Sequence, residues 1–96
     1  MYGTVAKFRA KPGTEKQLDD IGKEYESLSI QGYVGEIIYK LDSNPNEYIM
    51  AVVFDSKESY QKNADDPRQN DRYMKWRALL EADPEWNDGE IVYKKI

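Results

Sequence analysis

The sequence contains no cysteine and no histidine among its 96 residues, and these two absences exclude several classes of site. Without cysteine there is no thiolate nucleophile, disulfide, iron–sulfur cluster or cysteine-ligated zinc. Without histidine there is no Ser-His-Asp triad, no imidazole ligand for haem and no ordinary zinc site. No Asp-x-Asp-x-Asp loop is present to hold an oxygen-ligated ion. We therefore expect no metal, and acid–base chemistry would fall to Asp, Glu, Lys, Tyr or the surroundings of an Arg.

Long apolar runs are also absent. The longest, Tyr48–Phe54, has seven residues, far short of the roughly 20 that span a bilayer. The N-terminus shows neither the basic nor the apolar region of a secretory signal, so we expect a cytoplasmic protein with no membrane partner. The net charge of −4 repels phosphate backbones, so we expect no nucleic-acid partner.

The run Tyr48–Phe54 is rich in β-branched and aromatic residues, which predicts a strand. Alternate side chains of a strand point to opposite faces. Both faces of this strand are apolar, with Tyr48, Met50, Val52 and Phe54 on one and Ile49, Ala51 and Val53 on the other. Such a strand needs cover on both sides. A chain of this length is near the lower limit for building a core alone, so we expect a second copy to supply one layer.

The remaining pattern predicts three further strands and two helices. The predicted strands are residues 2–10, 33–41 and 90–96, the last of them after a turn at Asn87-Asp88-Gly89. The first helix begins at Thr14, which forms a capping box with Gln17, and ends before Gly32. The second begins at Ser56, restarts at Asp66 and runs to residue 82. This β-α-β-β-α-β order is the α+β, ferredoxin-like arrangement, with a four-stranded antiparallel sheet and both helices on one face. Residues 1–96 are expected to form one domain.

The predicted helices cover only one face of the sheet and leave the other apolar face open. Two copies stacked face to face would remove it from water, a gain on the order of 10 kcal/mol before association costs. We therefore expect a homodimer through the open sheet face. Tyr33, Ile37 and Tyr39 are predicted to share one face of the second strand, where the tyrosines would line an interface or the rim of a pocket.

Residues 54–90 resemble the antibiotic biosynthesis monooxygenase-type proteins. The matching residues are Phe54-Asp-Ser-Lys-Glu-Ser-Tyr60, Asn63-Ala-Asp-Asp-Pro67, Tyr73, Trp76-Arg77, Leu80-Glu81 and Pro84-Glu-Trp-Asn-Asp-Gly-Glu90. The resemblance implies a dimeric α/β barrel. The superfamily includes cofactor-free oxygenases of aromatic polyketides, haem-degrading enzymes and proteins of no known activity. Asn63 stands where many relatives have a histidine, so we expect no haem breakdown, because no other histidine can replace that axial ligand.

The cofactor-free branch of the superfamily implies an Asn, a Trp and an Arg around a pocket between the sheet and the helices. The candidate catalytic residues are Asn63, Trp76 and Arg77, and the candidate substrate-binding residues are Tyr60, Arg72 and Tyr73. No cofactor and no metal are expected. Five of these six candidates also have a purely structural interpretation. Tyr73 and Trp76 fit the core stripe of a helix, Asn63 fits a helix end, and the two arginines fit a solvated helix surface.

Two functions stay open at this point. One is a cofactor-independent monooxygenase that acts on a small aromatic or polyketide-type molecule by desolvating it and stabilising its anion. The other is a non-catalytic, small-molecule-binding or stress-associated barrel. RNA recognition is set aside, because the central strand Tyr48–Phe54 carries no Arg or Lys on either face.

Overall fold

The computed structural model describes residues 1–95, with the element order β-α-β-β-α-α-β. The strands are β1 (Tyr2–Arg9), β2 (Tyr33–Lys40), β3 (Glu47–Phe54) and β4 (Glu85–Glu90), and the helices are α1 (Glu15–Glu26), α2 (Lys57–Ala64) and α3 (Pro67–Arg77). All strand pairs are antiparallel, in the spatial order β2-β3-β1-β4. The predicted ferredoxin-like sheet is confirmed, with its second helix in two pieces. No helix within the described range is long and apolar enough to cross a membrane.

The core lies between the central strands β1 and β3 and the elements that cover them. Its buried apolar side chains are Ala6, Phe8, Ala10, Met50, Phe54 and Leu80. Phe8 stacks on the ring of Tyr48 with a centroid distance of 5.1 Å and meets the Trp76 ring edge-on at 4.9 Å. The alternation predicted for β1 and β3 is therefore confirmed, because its buried members all point toward the helices.

The predicted starts of α2 and α3 are confirmed by their hydrogen bonds. The Ser56 hydroxyl accepts from the backbone N–H of Ser59 at 3.1 Å, and the Asp66 carboxylate accepts from that of Arg68 at 2.9 Å. The capping box predicted for α1 is wrong. The Thr14 hydroxyl donates to the Lys11 carbonyl at 2.6 Å and makes no bond to the first turn of the helix.

The C-terminal part of the fold differs from the prediction. α3 ends at Arg77 rather than at residue 82, because the chain then turns back onto the end of β1. Leu80 forms an isolated bridge with Ala10, and its side chain is only 1% exposed. The last strand is Glu85–Glu90 rather than 90–96, so the predicted turn at 87–89 lies inside a strand. Residues 91–95 belong to no strand, and residue 96 of the predicted strand lies outside the described residues.

A bulge in β2 places its tyrosines on opposite faces of the sheet. Tyr33 pairs with Phe54 and Gly35 with Val53, so Val34 is an extra residue between them. One extra residue reverses the face of everything that follows. Tyr33 therefore points toward the helices, and its hydroxyl donates to Glu36 at 2.8 Å. The prediction that Tyr33 shares a face with Ile37 and Tyr39 is wrong for this reason.

Glycine at position 32 lets β2, β3 and α2 meet at one point. Gly32 has a φ of 80°, and a Cβ there would run into the side chain of Ser59. Its carbonyl accepts from the Asp55 N–H at 2.8 Å, and the Asp55 carboxylate accepts from the Ser59 hydroxyl at 2.7 Å. This contact fixes the loop before β2 against α2.

The second face of the sheet has no covering element within residues 1–95. The register places six apolar side chains there, namely Val5, Ile37, Tyr39, Ile49, Ala51 and Val53. Val5, Ile37 and Tyr39 are 49%, 51% and 59% exposed. At one end of this face, Glu47 forms ion pairs with Lys7, at 3.5 Å, and with Arg9. The hydrogen bond from Arg9 is the main reason that the pKa of Glu47 lies below its ordinary value.

Candidate functional site

A cavity of about 250 Å³ opens between the α1–β2 loop, the second half of α2 and the start of α3. Its polar wall consists of Ser29, Gln31, Ser59, Lys62, Asn63, Asp66, Arg68 and Arg72, and its apolar wall consists of Leu28 and Ile30. The volume lies just below the range usual for ligand pockets, so it suits a small molecule. Of the six predicted site residues, two line this cavity: Asn63 and Arg72.

Asn63 lies in the last turn of α2, where the chain bends toward α3. Its backbone carbonyl accepts from the Asp66 N–H at 3.1 Å, which helps to end the helix. Its side-chain amide makes no hydrogen bond within residues 1–95 and lines the cavity. The residue therefore ends a helix through its backbone and leaves an amide donor and acceptor available to a bound molecule.

The charged side chains of the cavity wall are only partly neutralised. Arg68 makes a two-point contact with the Asp66 carboxylate, at 2.8 and 3.2 Å, and chiefly for this reason the pKa of Asp66 falls to about 2. The Lys62 ammonium reaches the Gln31 amide oxygen at 3.5 Å, the limit of a hydrogen bond.

Arg72 is held by neutral groups. Its Nε donates to the Gln69 amide oxygen at 3.0 Å, and its guanidinium lies over the Tyr25 ring, 5.7 Å from the centroid. Neither Arg72 nor Lys62 forms an ion pair within residues 1–95. The cavity therefore presents two cations that form no direct ion pair within the described chain, although the charge of Arg72 also helps to lower the pKa of Asp66.

Trp76 and Tyr73 lie outside this cavity, in an aromatic cluster over β4. The Trp76 ring contacts Tyr73 at 6.0 Å and Trp86 at 6.1 Å, besides its edge-on contact with Phe8. Trp76 thus packs against the core, as the structural interpretation of its helical spacing predicts. Trp86 was missed as a member of this cluster, because its segment was predicted to approach a turn rather than to form a strand. Its side chain is 46% exposed, so the cluster has an open side.

The remaining two candidates are engaged elsewhere. Arg77 donates from Nε to the Asp83 carboxylate at 2.7 Å and from Nη1 to the Leu80 carbonyl at 3.2 Å, so it holds the segment after α3. The Tyr60 hydroxyl donates to Asp88 on β4 at 2.8 Å. Burial, followed by this hydrogen bond, raises the pKa of Tyr60 above its ordinary value.

The cavity also contains residues that were not predicted as site residues. One of them, Arg68, lies four residues before the predicted Arg72 on α3, a spacing that places both side chains on the same helix face and was visible in the sequence. Lys62 directly precedes Asn63. Gln31 comes from the loop before β2, and no local pattern in the sequence relates it to α2 or α3.

Comparison with known proteins finds solved structures that have this fold. No protein-family profile matches the sequence, and no curated protein does. Among solved structures, a proposed antibiotic biosynthesis monooxygenase from Chloroflexus aurantiacus is 28% identical over 98% of this chain and 95% of its own, with a TM-score of 0.78. The chain therefore has the fold of the antibiotic biosynthesis monooxygenase-like proteins. The resemblance seen in residues 54–90 is confirmed.

Other solved structures of the same fold differ widely in sequence. An asparagine-to-alanine variant of SnoaB, a cofactor-independent oxygenase from Streptomyces nogalater, has a TM-score of 0.81 at 13% identity, over 97% of this chain and 94% of its own. A protein of unknown function from Nitrosomonas europaea, NE2512, has a TM-score of 0.76 at 18% identity, over 99% and 92%. Such distant likeness shows the fold, so any activity must be argued from the site.

Proposed function

We propose that residues 1–96 form one domain of the antibiotic biosynthesis monooxygenase-like superfamily. This domain takes up a small electron-rich aromatic molecule and oxygenates it without a cofactor. The observation that carries the proposal is the Asn63 amide, which has no hydrogen-bond partner within residues 1–95 and lines the same cavity as Arg72. An amide donor and a guanidinium would stabilise the oxygen anion of a deprotonated phenol or enol. SnoaB, named as a cofactor-independent oxygenase, supports the reaction class.

The chemistry requires no reductant. When a ring methylene is oxygenated to a carbonyl, CH₂ and O₂ give C=O and water, so both electron pairs come from the substrate. The protein would have to deprotonate the substrate, hold the resulting anion and exclude water. Asn63 is the proposed catalytic residue and Arg72 the proposed anion-binding residue. Trp76 and Arg77 lie outside the cavity, where they hold α3 and the segment that follows it.

Oxygen consumption with anthrone- and quinol-type compounds tests the proposal. Uptake above the buffer rate is expected for the unmodified chain, and Asn63→Ala should lower it by about 10²-fold, as loss of one oxyanion donor does in other enzymes. Asn70→Ala is the matched control, since Asn70 is exposed on α3 and does not line the cavity. If no compound in the panel raises uptake above buffer, the catalytic proposal is wrong.

We further propose that the chain is a homodimer in which the open sheet faces of two copies stack. Apolar side chains from three strands lie on this face, and several are half exposed in the single chain. At about 25 cal/mol per Å², a few hundred Å² of apolar surface per copy is worth on the order of 10 kcal/mol before association costs. The thermal midpoint should therefore rise with protein concentration, as it does for coupled folding and dimerisation. A midpoint independent of concentration would contradict the dimer.

Non-catalytic binding is the second candidate, and one observation favours it. Two of the three residues that the superfamily resemblance implies as catalytic, Trp76 and Arg77, contact Phe8 and Asp83 rather than the cavity. A ligand would then raise the thermal midpoint without any oxygen uptake.

A further inference from the structure

We infer that the cavity selects an aromatic carboxylate, held at its charged end by Lys62 and Arg72. The inference rests on the location of the site proposed above and adds the charge of the ligand. The chain as a whole has a net charge of −4, yet the cavity wall carries three cations and one carboxylate. The local charge is therefore opposite in sign to that of the molecule, which favours an anion at this place.

The pairing within the wall leaves this positive charge available. Asp66 is occupied by Arg68 through two contacts, at 2.8 and 3.2 Å. Asp55 contacts Ser59 of the cavity wall, and its carboxylate already accepts a hydrogen bond from the Ser59 hydroxyl at 2.7 Å. Even with Asp55 included, the cations outnumber the carboxylates.

Lys62 and Arg72 approach the cavity from two different helices. Arg72 is held in place by Gln69 and by the face of Tyr25, both neutral, and only its Nε is used in the contact with Gln69. Its terminal N–H groups can therefore bind a carboxylate in the two-point geometry that guanidinium favours. Lys62 has only a 3.5 Å contact with a neutral amide, which a carboxylate can replace.

The opposite wall favours an organic ligand over an inorganic anion. Leu28 and Ile30, from the loop after α1, line the same cavity as the cations. They offer a surface for a flat ring, whereas phosphate or sulfate would gain nothing from them. The volume of about 250 Å³ suits a molecule of one or two rings.

Calorimetric titration with 1-hydroxy-2-naphthoate and its neutral amide, 1-hydroxy-2-naphthamide, tests the inference at pH 7. The two compounds share the aromatic body and differ in the charge at the end that would meet Lys62 and Arg72. The carboxylate is expected to bind at least tenfold more tightly. Lys62→Gln and Arg72→Gln should each weaken its binding about five- to tenfold and leave the amide within twofold. A higher salt concentration should weaken binding of the carboxylate and leave binding of the amide unchanged.

Lys57→Gln is the matched control, because it removes the same charge from the same helix. The Lys57 ammonium lies over the Tyr2 ring at 5.8 Å and does not line the cavity. Lys57→Gln should leave the affinities for the carboxylate and for the amide within twofold of those of the unmodified chain. If Arg72→Gln fails to fold, as a thermal melt would show, Lys62→Gln decides, since Lys62 is exposed and makes only a marginal hydrogen bond.

Several results would overturn the inference. These are equal affinity for carboxylate and amide, no binding of either, carboxylate binding that neither variant weakens, and displacement of the carboxylate by equimolar phosphate. Oxygen uptake recorded on the same samples keeps the two proposals separate. Binding of the carboxylate without uptake supports the anion site and argues against the oxygenase, whereas uptake from neutral compounds with no preference for anions does the reverse.

Discussion

The two faces of the sheet carry similarly apolar side chains and differ in what covers them. On the helix side, Ala6, Phe8 and Met50 are buried, whereas Val5 and Ile37 on the other side are about half exposed. β1 and β3 supply side chains to both faces in strict alternation. Burial in this chain is therefore decided by the layer above a face, and the residue pattern alone does not distinguish the two faces.

A smaller contrast exists within the covered face. None of the three helices has a buried residue, but α2 and α3 contact the central strands through the rings of Tyr60 and Trp76. α1 is joined to α3 through polar contacts, Tyr25 to Gln69 at 2.8 Å and Lys75 to Glu24 at 3.0 Å. Ile38 on the covered side of β2 stays half exposed. The cavity opens beside the loop that follows α1.

The largest expected effect is a difference in unfolding free energy between a variant on the covered face and a variant on the open face. Phe8→Ala removes a buried ring that contacts Tyr48 and Trp76, and should lower the free energy of unfolding by about 3–5 kcal/mol. Tyr39→Ala removes an aromatic ring from the open face and should cost about 1 kcal/mol when measured by urea unfolding at high dilution. Equal losses for both variants would mean that the faces are not distinct in the single chain.

The next effect concerns association. Val5→Glu places a carboxylate in the middle of the open face, and its desolvation in a stacked dimer should weaken association at least 100-fold without unfolding the chain. Met74→Glu adds the same charge at a similarly exposed apolar side chain on α3, away from that face, and should leave association unchanged. Sedimentation velocity measures both. The interface would lie elsewhere if the two variants behaved alike.

A smaller effect tests the helical cover. Ser56→Ala removes the side-chain cap of α2 and should destabilise the chain by about 1 kcal/mol. Thr14→Ala at the start of α1 should cost only a few tenths, since the Thr14 hydroxyl bonds to Lys11 and not to a helix N–H. Urea unfolding of both variants gives the comparison, and a larger loss for Thr14→Ala would contradict it.

The smallest effect is a pH dependence at the cavity wall. The pKa of Asp66 is lowered from 3.8 to about 2 in the fold, chiefly by the hydrogen bond from Arg68. The folded state thus favours the ionised form, so the stabilisation is present above about pH 4 and is lost as the pH falls toward 2. Asp66→Asn keeps an acceptor for the helix cap and should flatten the dependence of the unfolding midpoint between pH 4 and 2. An unchanged slope would show that Asp66 does not contribute.

Local signals predicted much of the fold. The faces of β1 and β3 followed from alternation, and the starts of α2 and α3 followed from Ser56 and from Asp66 with Pro67. These features depend on neighbours in sequence, which is why the sequence alone revealed them. The four-stranded antiparallel sheet followed from the order of the elements along the chain and is confirmed.

The last strand shows where local signals fail. Residues 87–89 were predicted to form a turn, but pairing with β1 makes residues 85–90 a strand, and the Asn87 amide donates to the Val5 carbonyl at 3.1 Å. The β-forming residues Ile91, Val92 and Tyr93 lie beyond that strand. Tertiary pairing overrides propensity at such an edge.

The candidate site was predictable only in part, for a similar reason. Asn63 was predicted from the resemblance and Arg72 as a possible anion-binding arginine, but their shared cavity depends on how α2 packs beside α3 and on Gln31 from a distant loop. Trp76 and Arg77 are adjacent in sequence yet point to different surroundings, the Phe8 ring and the Asp83 carboxylate.

Light scattering of the unmodified chain at micromolar concentration tests most directly whether a second copy covers the open face. The expected mass is twice the 11.2 kDa of the single chain. A particle of 11.2 kDa at every concentration up to the millimolar range would contradict it, because the apolar side of β1, β2 and β3 would then be stable in water without a partner.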